Sequence, residues 1–158
     1  MVDDENAKCV LPRGATGFFR PSDGPLPETD LATFRTALYA AARAAGGTVG
    51  ELEKQSYPCT FHTATVVDGS GEFIILCHAH LPWIAFAQER RNWYTEEFLA
   101  PPAWSETFGH LGFVVLDRAQ LTMPLSGVDT SALSRNEWRA ARSYGITTVG
   151  GALFNAWV

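Results

Sequence analysis

Apolar residues recur every three or four positions at Leu31, Phe34, Leu38, Ala41 and Ala45, drawing one stripe along a helix of about residues 30–45. Thr29 or Asp30 offers a side-chain oxygen to the unpaired N–H groups of its first turn, and Gly46-Gly47 ends it. Thr48-Val49-Gly50-Glu51 has the Thr-x-x-Glu spacing of a capping box and predicts a short helical turn, closed by Pro58.

From Thr60 the pattern changes. Two apolar runs, Thr60–Val67 and Glu72–Ala79, flank Asp68-Gly69-Ser70-Gly71, which predicts an antiparallel hairpin. Pairing Val67 with Glu72 sets His62 opposite Cys77, Phe61 opposite His78 and Cys59 opposite His80. Because side chains alternate, His62 and Cys77 then share a face with Ala64, Val66, Phe73 and Ile75. Cys59, Phe61, His78 and His80 occupy the other. A slip of one residue would exchange the two sets.

Trp83–Ala87 reads as a third strand, with Pro82 tolerated at its start. A short helix is expected near 94–99, a strand at Gly112–Leu116 and another at 119–125. Ser134-Arg135-Asn136-Glu137 is a second capping box, opening a helix through Trp138, Ala141 and Arg142 to Tyr144-Gly145. Thr147 or Thr148 caps a last short helix carrying Leu153, Phe154 and Trp157. Residues 1–28, punctuated by proline and glycine, read as an irregular arm docked through Phe18-Phe19. The expectation is a single α+β domain over 29–158. An antiparallel sheet of about four to five strands carries the helix at 30–45 and a helical C-terminal region.

Composition narrows the partners. The chain has 158 residues, 46% of them hydrophobic and 18% charged, enough for a sizeable core. A net charge of -5 argues against nucleic acid, and no apolar run reaches the ~18 residues that cross a bilayer. The acidic start Met1-Val2-Asp3-Asp4-Glu5 lacks signal-peptide order, and three cysteines without a stapling pattern suit a reducing, cytoplasmic setting. Arg90-Arg91, beside Trp93 and Tyr94, is the one dense basic spot. The preference for arginine over lysine, with runs of alanine, is the usage of a GC-rich bacterial genome.

The stretch Cys59–His80 holds two of the three cysteines and three of the four histidines. Two chemistries follow. A cross-strand His62–Cys77 pair is close enough for an imidazole to take the thiol proton, with His110 or Asp117 orienting the ring. An apolar face raises a thiol's pKa, so the same pair also reads as core. Alternatively Cys59, His78 and His80 supply three ligands of the kind a zinc site with an open position uses. Trp83, Trp93, Tyr94 and Trp104 are candidate walls of a small-molecule pocket, or core filling; Tyr57 belongs with them. Glu96, Glu97 and Glu106 are acids near those aromatics. Gly150-Gly151 has too few glycines, and no lysine, for a phosphate loop.

The expected function is a small cofactor-independent enzyme acting on an apolar or aromatic metabolite by isomerase, cyclase or hydrolase chemistry, within bacterial biosynthesis. The alternative is an acidic immunity- or antitoxin-like module that binds a basic protein through Asp3, Asp4, Glu5, Glu51, Glu53, Glu96 and Glu97. A zinc-dependent site on the Cys59/His78/His80 face is the third reading.

Overall fold

Helix α1, Leu31–Ala45, begins where the Asp30 carboxylate accepts from the Ala32 N–H at 3.2 Å and from the Thr33 hydroxyl at 2.7 Å. Its end is set by glycine. Gly46 lies at φ 68, and the N–H groups of Gly46 and Gly47 close the last turn on Arg43 and Ala42. The computed structural model that reveals this arrangement describes residues 10–18, 26–56, 59–87 and 97–155.

Among the described residues six strands form the sheet: β1 Thr48–Glu53, β2 Phe61–Asp68, β3 Gly71–His78, β4 Trp83–Ala87, β5 Phe98–Leu99 and β6 Val114–Val115. Strands β1 to β5 run in sequence order and antiparallel, while β6 joins β4 in parallel. Strands β5 and β6 share the far side of β4, β5 against Phe86–Ala87 and β6 against Trp83–Ile84. The hairpin register is the one its turn implies, from Asp68↔Gly71 and Val67↔Glu72 to His62↔Cys77 and Phe61↔His78. The Asp68 carboxylate fixes that turn by accepting from the N–H and hydroxyl of Ser70 and the N–H of Gly71.

Both faces of the sheet are covered. On one, Ala64, Val66, Ile75, Cys77, Ile84 and Phe86 meet Phe34, Leu38 and Ala41 of α1, together with Phe108 and Phe113. On the other, Phe61, Ile74, Leu76, Ala85 and Ala87 meet Leu121, Val149, Leu153 and Phe154. This double covering explains why β2 and β3 read as continuous apolar runs instead of alternating ones. The N-terminal arm joins the second face through Leu11 and Ala15, both fully buried. Phe18 is only half-buried, and Phe19 lies outside the described residues.

Four expectations change. The capping-box spacing at Thr48–Glu51 does not start a helix: the chain leaves Gly46 along β2 and pairs Thr48 with Val67 and Val49 with Val66. Ladder bonds along β2 outweigh one local cap. Residues 119–125 are not a strand. Asp117 and Gln120 form a capping box that opens α3, following α2 at Glu106–His110 and spanning Arg118–Leu121, before a 3₁₀ turn at Leu125–Gly127. The helix near 94–99 is replaced at its described end by strand β5, and 94–96 lie outside the described residues. Of the predicted strand at Gly112–Leu116, only Val114–Val115 pairs, and in parallel. Helix α4, Arg135–Ser143, has the Ser134/Glu137 box, and α5, Val149–Leu153, has Thr148 as its cap. Among the described residues no helix is long and apolar enough to cross a membrane.

The α1–β1 corner yields a direct test. A Cβ on Gly47 would overlap the carbonyl oxygen of Val67 and lie 3.0 Å from the Cα of Asp68, whereas one on Gly46 meets nothing within 4 Å. Gly47→Ala is therefore expected to destabilise by about 2–3 kcal/mol, since backbone must move. Gly46→Asn, which tolerates the left-handed conformation, should stay within about 1 kcal/mol. Denaturant midpoints of the two variants check the contrast.

Candidate functional site

Three chain segments converge where α1 begins: Glu28–Leu31 leading into the helix, Lys54–Gln55 after β1, and Ala79–His80 after β3. With His62 of β2 they line an open cleft of about 490 Å³. His62 is 4% exposed, and its ring stacks on Phe34 with centroids 6.2 Å apart. Its Nδ1 accepts the Gln55 N–H at 2.9 Å. In the neutral ring the proton therefore sits on Nε2, which has no hydrogen-bond partner among the described residues. Burial, then the charges of Lys54 and His80, lowers the pKa of His62 to about 4. Near neutral pH this side chain offers the cleft a donor without a charge.

His80 is oriented the opposite way. Its Nδ1 lies 2.8 Å from the Pro27 carbonyl oxygen, which can only accept, so in the neutral ring Nδ1 carries the proton and Nε2 keeps its lone pair. That lone pair has no hydrogen-bond partner among the described residues. Thr29 adds a buried hydroxyl oxygen without a partner on the same wall, while its N–H is fixed to the Ala79 carbonyl at 2.8 Å. One cleft thus holds a neutral N–H donor and an imidazole base, each set by a backbone group.

The other predicted site residues fall elsewhere. Cys77 faces His62 across the ladder, but its sulfur is fully buried and donates to the His78 carbonyl at 3.7 Å. Burial pushes that thiol far above its ordinary range. His62 cannot act as its base, because one ring nitrogen already accepts a backbone N–H and the other holds the proton. His110 is exposed at the end of α2, and the group that orients His62 is the Gln55 N–H instead. Asp117 is committed to capping α3.

The three proposed zinc ligands are not assembled as a ligand set. His78 is fully buried, with Nε2 2.6 Å from the Ala15 carbonyl and Nδ1 accepting the N–H groups of His80 and Leu81 at 3.0 and 3.1 Å. Both of its nitrogens are taken by backbone. The Cys59 thiol donates to the Phe61 carbonyl at 3.5 Å, and burial raises its pKa. Among the described residues no group of three His, Cys, Asp or Glu is placed to hold a metal.

Trp83 and Trp104 serve the core. Trp83 packs against the Phe61/Phe154 cluster, whereas the Trp104 ring lies 5.3 Å from Phe73 and 5.5 Å from Phe86, its Nε1 donating to Asp68. Tyr57, Arg90, Arg91, Trp93, Tyr94 and Glu96 lie outside the described residues, as do Asp3, Asp4, Glu5 and Trp157. Of the remaining acids, Glu51 and Glu53 are on β1 and Glu97 precedes β5, at the other end of the sheet order.

Compared with known proteins, the chain matches no family model, no curated protein and no solved structure. It is an α+β protein defined by its own architecture: a mostly antiparallel sheet with helices on both faces and a two-histidine cleft at one corner. Sequence reasoning named His62 and His80 but sorted them into separate sites. It missed Lys54, Gln55 and Thr29, whose only local signal is that Lys54 is one of two lysines.

Proposed function

We propose that the protein is a cofactor-independent acid–base enzyme of the isomerase type, working in the His62/His80 cleft on a small carbonyl compound. The observation that carries this reading is the pair of opposed tautomers, one donor and one base, on a single open cleft. The Nε2 lone pair of His80 takes a proton from the carbon beside the carbonyl. The C–H electron pair becomes the new C=C bond, and the carbonyl π pair moves onto oxygen. The Nε2–H of His62 holds that developing oxyanion. Return of the proton from His80 to the other face of that carbon, as the oxyanion collapses and the C=C pair takes the proton, regenerates the carbonyl without net oxidation or reduction.

Backbone preorganisation supports these roles. The Pro27 carbonyl orients His80 as a base, and the Gln55 N–H keeps His62 from becoming one. With a pKa of about 4, His62 stays a neutral donor across the physiological range. The polar lining favours a small polar substrate over the aromatic metabolite suggested by composition.

The test is deuterium uptake. In D₂O, α-protons of butanone and 2-oxobutanoate are expected to exchange faster with the protein than without it, followed by proton NMR. His80→Ala should reduce the rate by about 10²–10⁴-fold. His62→Phe, which preserves the ring stack but removes the donor, should reduce it by about 10²–10³-fold. Equal exchange in wild type and both variants would refute the assignment.

A further inference from the structure

Charge is unevenly arranged around this cleft. Glu28 and Asp30 stand on the lip leading into α1, and Lys54 stands on the segment that leaves β1. Asp30 stays ionised, its carboxyl held below the usual range first by the Thr33 hydroxyl and then by the Ala32 N–H. Those two bonds use one lone pair on each oxygen and leave others available. The charge of Lys54 is felt at the His62 ring, where, after burial, it helps to lower the pKa. The lysine and the two carboxylates thus stand on separate segments of the same rim, all three exposed. His62, 4% exposed and lining the cleft, has no hydrogen-bond partner on Nε2 among the described residues, and the Thr29 hydroxyl oxygen is buried without one on the same wall.

We infer that the cleft takes a small zwitterion, with its carboxylate on Lys54 and its ammonium group between Glu28 and Asp30. The inference rests on the cleft being the working site and adds the substrate class: a carbonyl compound that also carries an amine and an acid. Lys54 takes the carboxylate, leaving the Nε2–H of His62 for the neighbouring carbonyl oxygen. A ligand bearing only the anion would leave the lip carboxylates facing it without a counter-charge. One bearing only the cation would leave Lys54 and the Nε2–H of His62 unanswered.

Three probes of matched length separate these cases: 4-aminobutanoate, butanoate and butylamine, titrated while the amide resonances of Gln55 and His80 are followed by NMR. The zwitterion is expected to bind at least tenfold more tightly than either singly charged probe, shifting both amides. Lys54→Met should abolish its advantage over butylamine. Asp30→Asn, which keeps a capping side chain, combined with Glu28→Gln should abolish its advantage over butanoate. Thermal melts of the variants confirm that both fold. Binding of all three probes within twofold, binding of none, or a preference that survives Lys54→Met overturns the inference. The outcome is separable from that of the exchange assay. Charge-selective binding without deuterium uptake by any carbonyl compound keeps this ligand class and removes the enolisation chemistry. Equal uptake by charged and uncharged ketones keeps the chemistry and removes the class.

Discussion

Glu137→Ala is expected to destabilise the protein by about 3–5 kcal/mol and to release residues 10–17 from the sheet. Glu137 is 1% exposed, and its carboxylate is surrounded by donors. Oε1 accepts from the N–H groups of Gly14 at 3.1 Å and Ser134 at 3.0 Å. Oε2 accepts from Gly14 N–H at 3.0 Å, Thr16 N–H at 3.2 Å and the Thr16 hydroxyl at 2.8 Å. One side chain therefore completes the capping box of α4 and anchors the arm at the same time. Truncation leaves these buried donors without that acceptor, and each such loss costs about 1–3 kcal/mol before relaxation. Relaxation is available because the arm can detach and hydrate, which keeps the total below the sum.

Glu137→Gln separates the two jobs. An amide retains one acceptor oxygen but turns an NH₂ group towards backbone donors, so it should keep part of the cap and lose the arm. The expected pattern is a smaller loss in denaturant midpoint than for alanine, with faster amide exchange at Gly14 and Thr16 in both variants. A change below about 1 kcal/mol for Glu137→Ala would mean that the arm contributes little to the folded state.

Local chemistry was readable wherever the controlling partners are close in sequence. The Asp68–Gly71 turn fixed the register of β2 and β3, and the Ser134/Glu137 and Asp30 caps fixed the starts of α4 and α1. Local signals failed where a distant strand competed for the same backbone, as at Thr48–Glu51, whose groups pair with β2. The site was half legible for the same reason. His62 and His80 are visible as titratable residues on one hairpin, but their roles depend on which nitrogen the backbone occupies. Those partners are Gln55 and Pro27, seven and 53 residues away. Cys77 looked reactive because register alone put it opposite an imidazole. Burial, which pattern cannot measure, decides against a thiolate there.

Stability is expected to be nearly flat from pH 8 to 7 and to fall steeply below about pH 6, with buried histidines as the cause. Burial lowers the pKa of His78 from 6.5 to about 3 and that of His62 from 6.5 to about 4. Between those values and 6.5 the unfolded chain binds protons that the folded chain refuses, so acid favours unfolding. Each fully buried histidine contributes a slope of roughly 1.4 kcal/mol per pH unit in its window. For His78 the window runs from 6.5 down to about 3. The depressed carboxyls of Asp30 and Asp68 act separately, because their stabilisation is lost only as pH drops below 3.8. Guanidinium unfolding at pH 7, 6, 5 and 4 measures the slope, and His78→Gln assigns it. This variant should be less stable at pH 7, where the Ala15, His80 and Leu81 backbone bonds are disturbed, yet visibly flatter between pH 6.5 and 4.5. An unchanged slope would move the acid sensitivity to other groups. The assignment also reaches the cleft: His78 holds the N–H of His80, so charging it loosens the residue proposed as the base. Loss of α-proton exchange should then accompany the local opening around Ala79–Leu81, ahead of global unfolding.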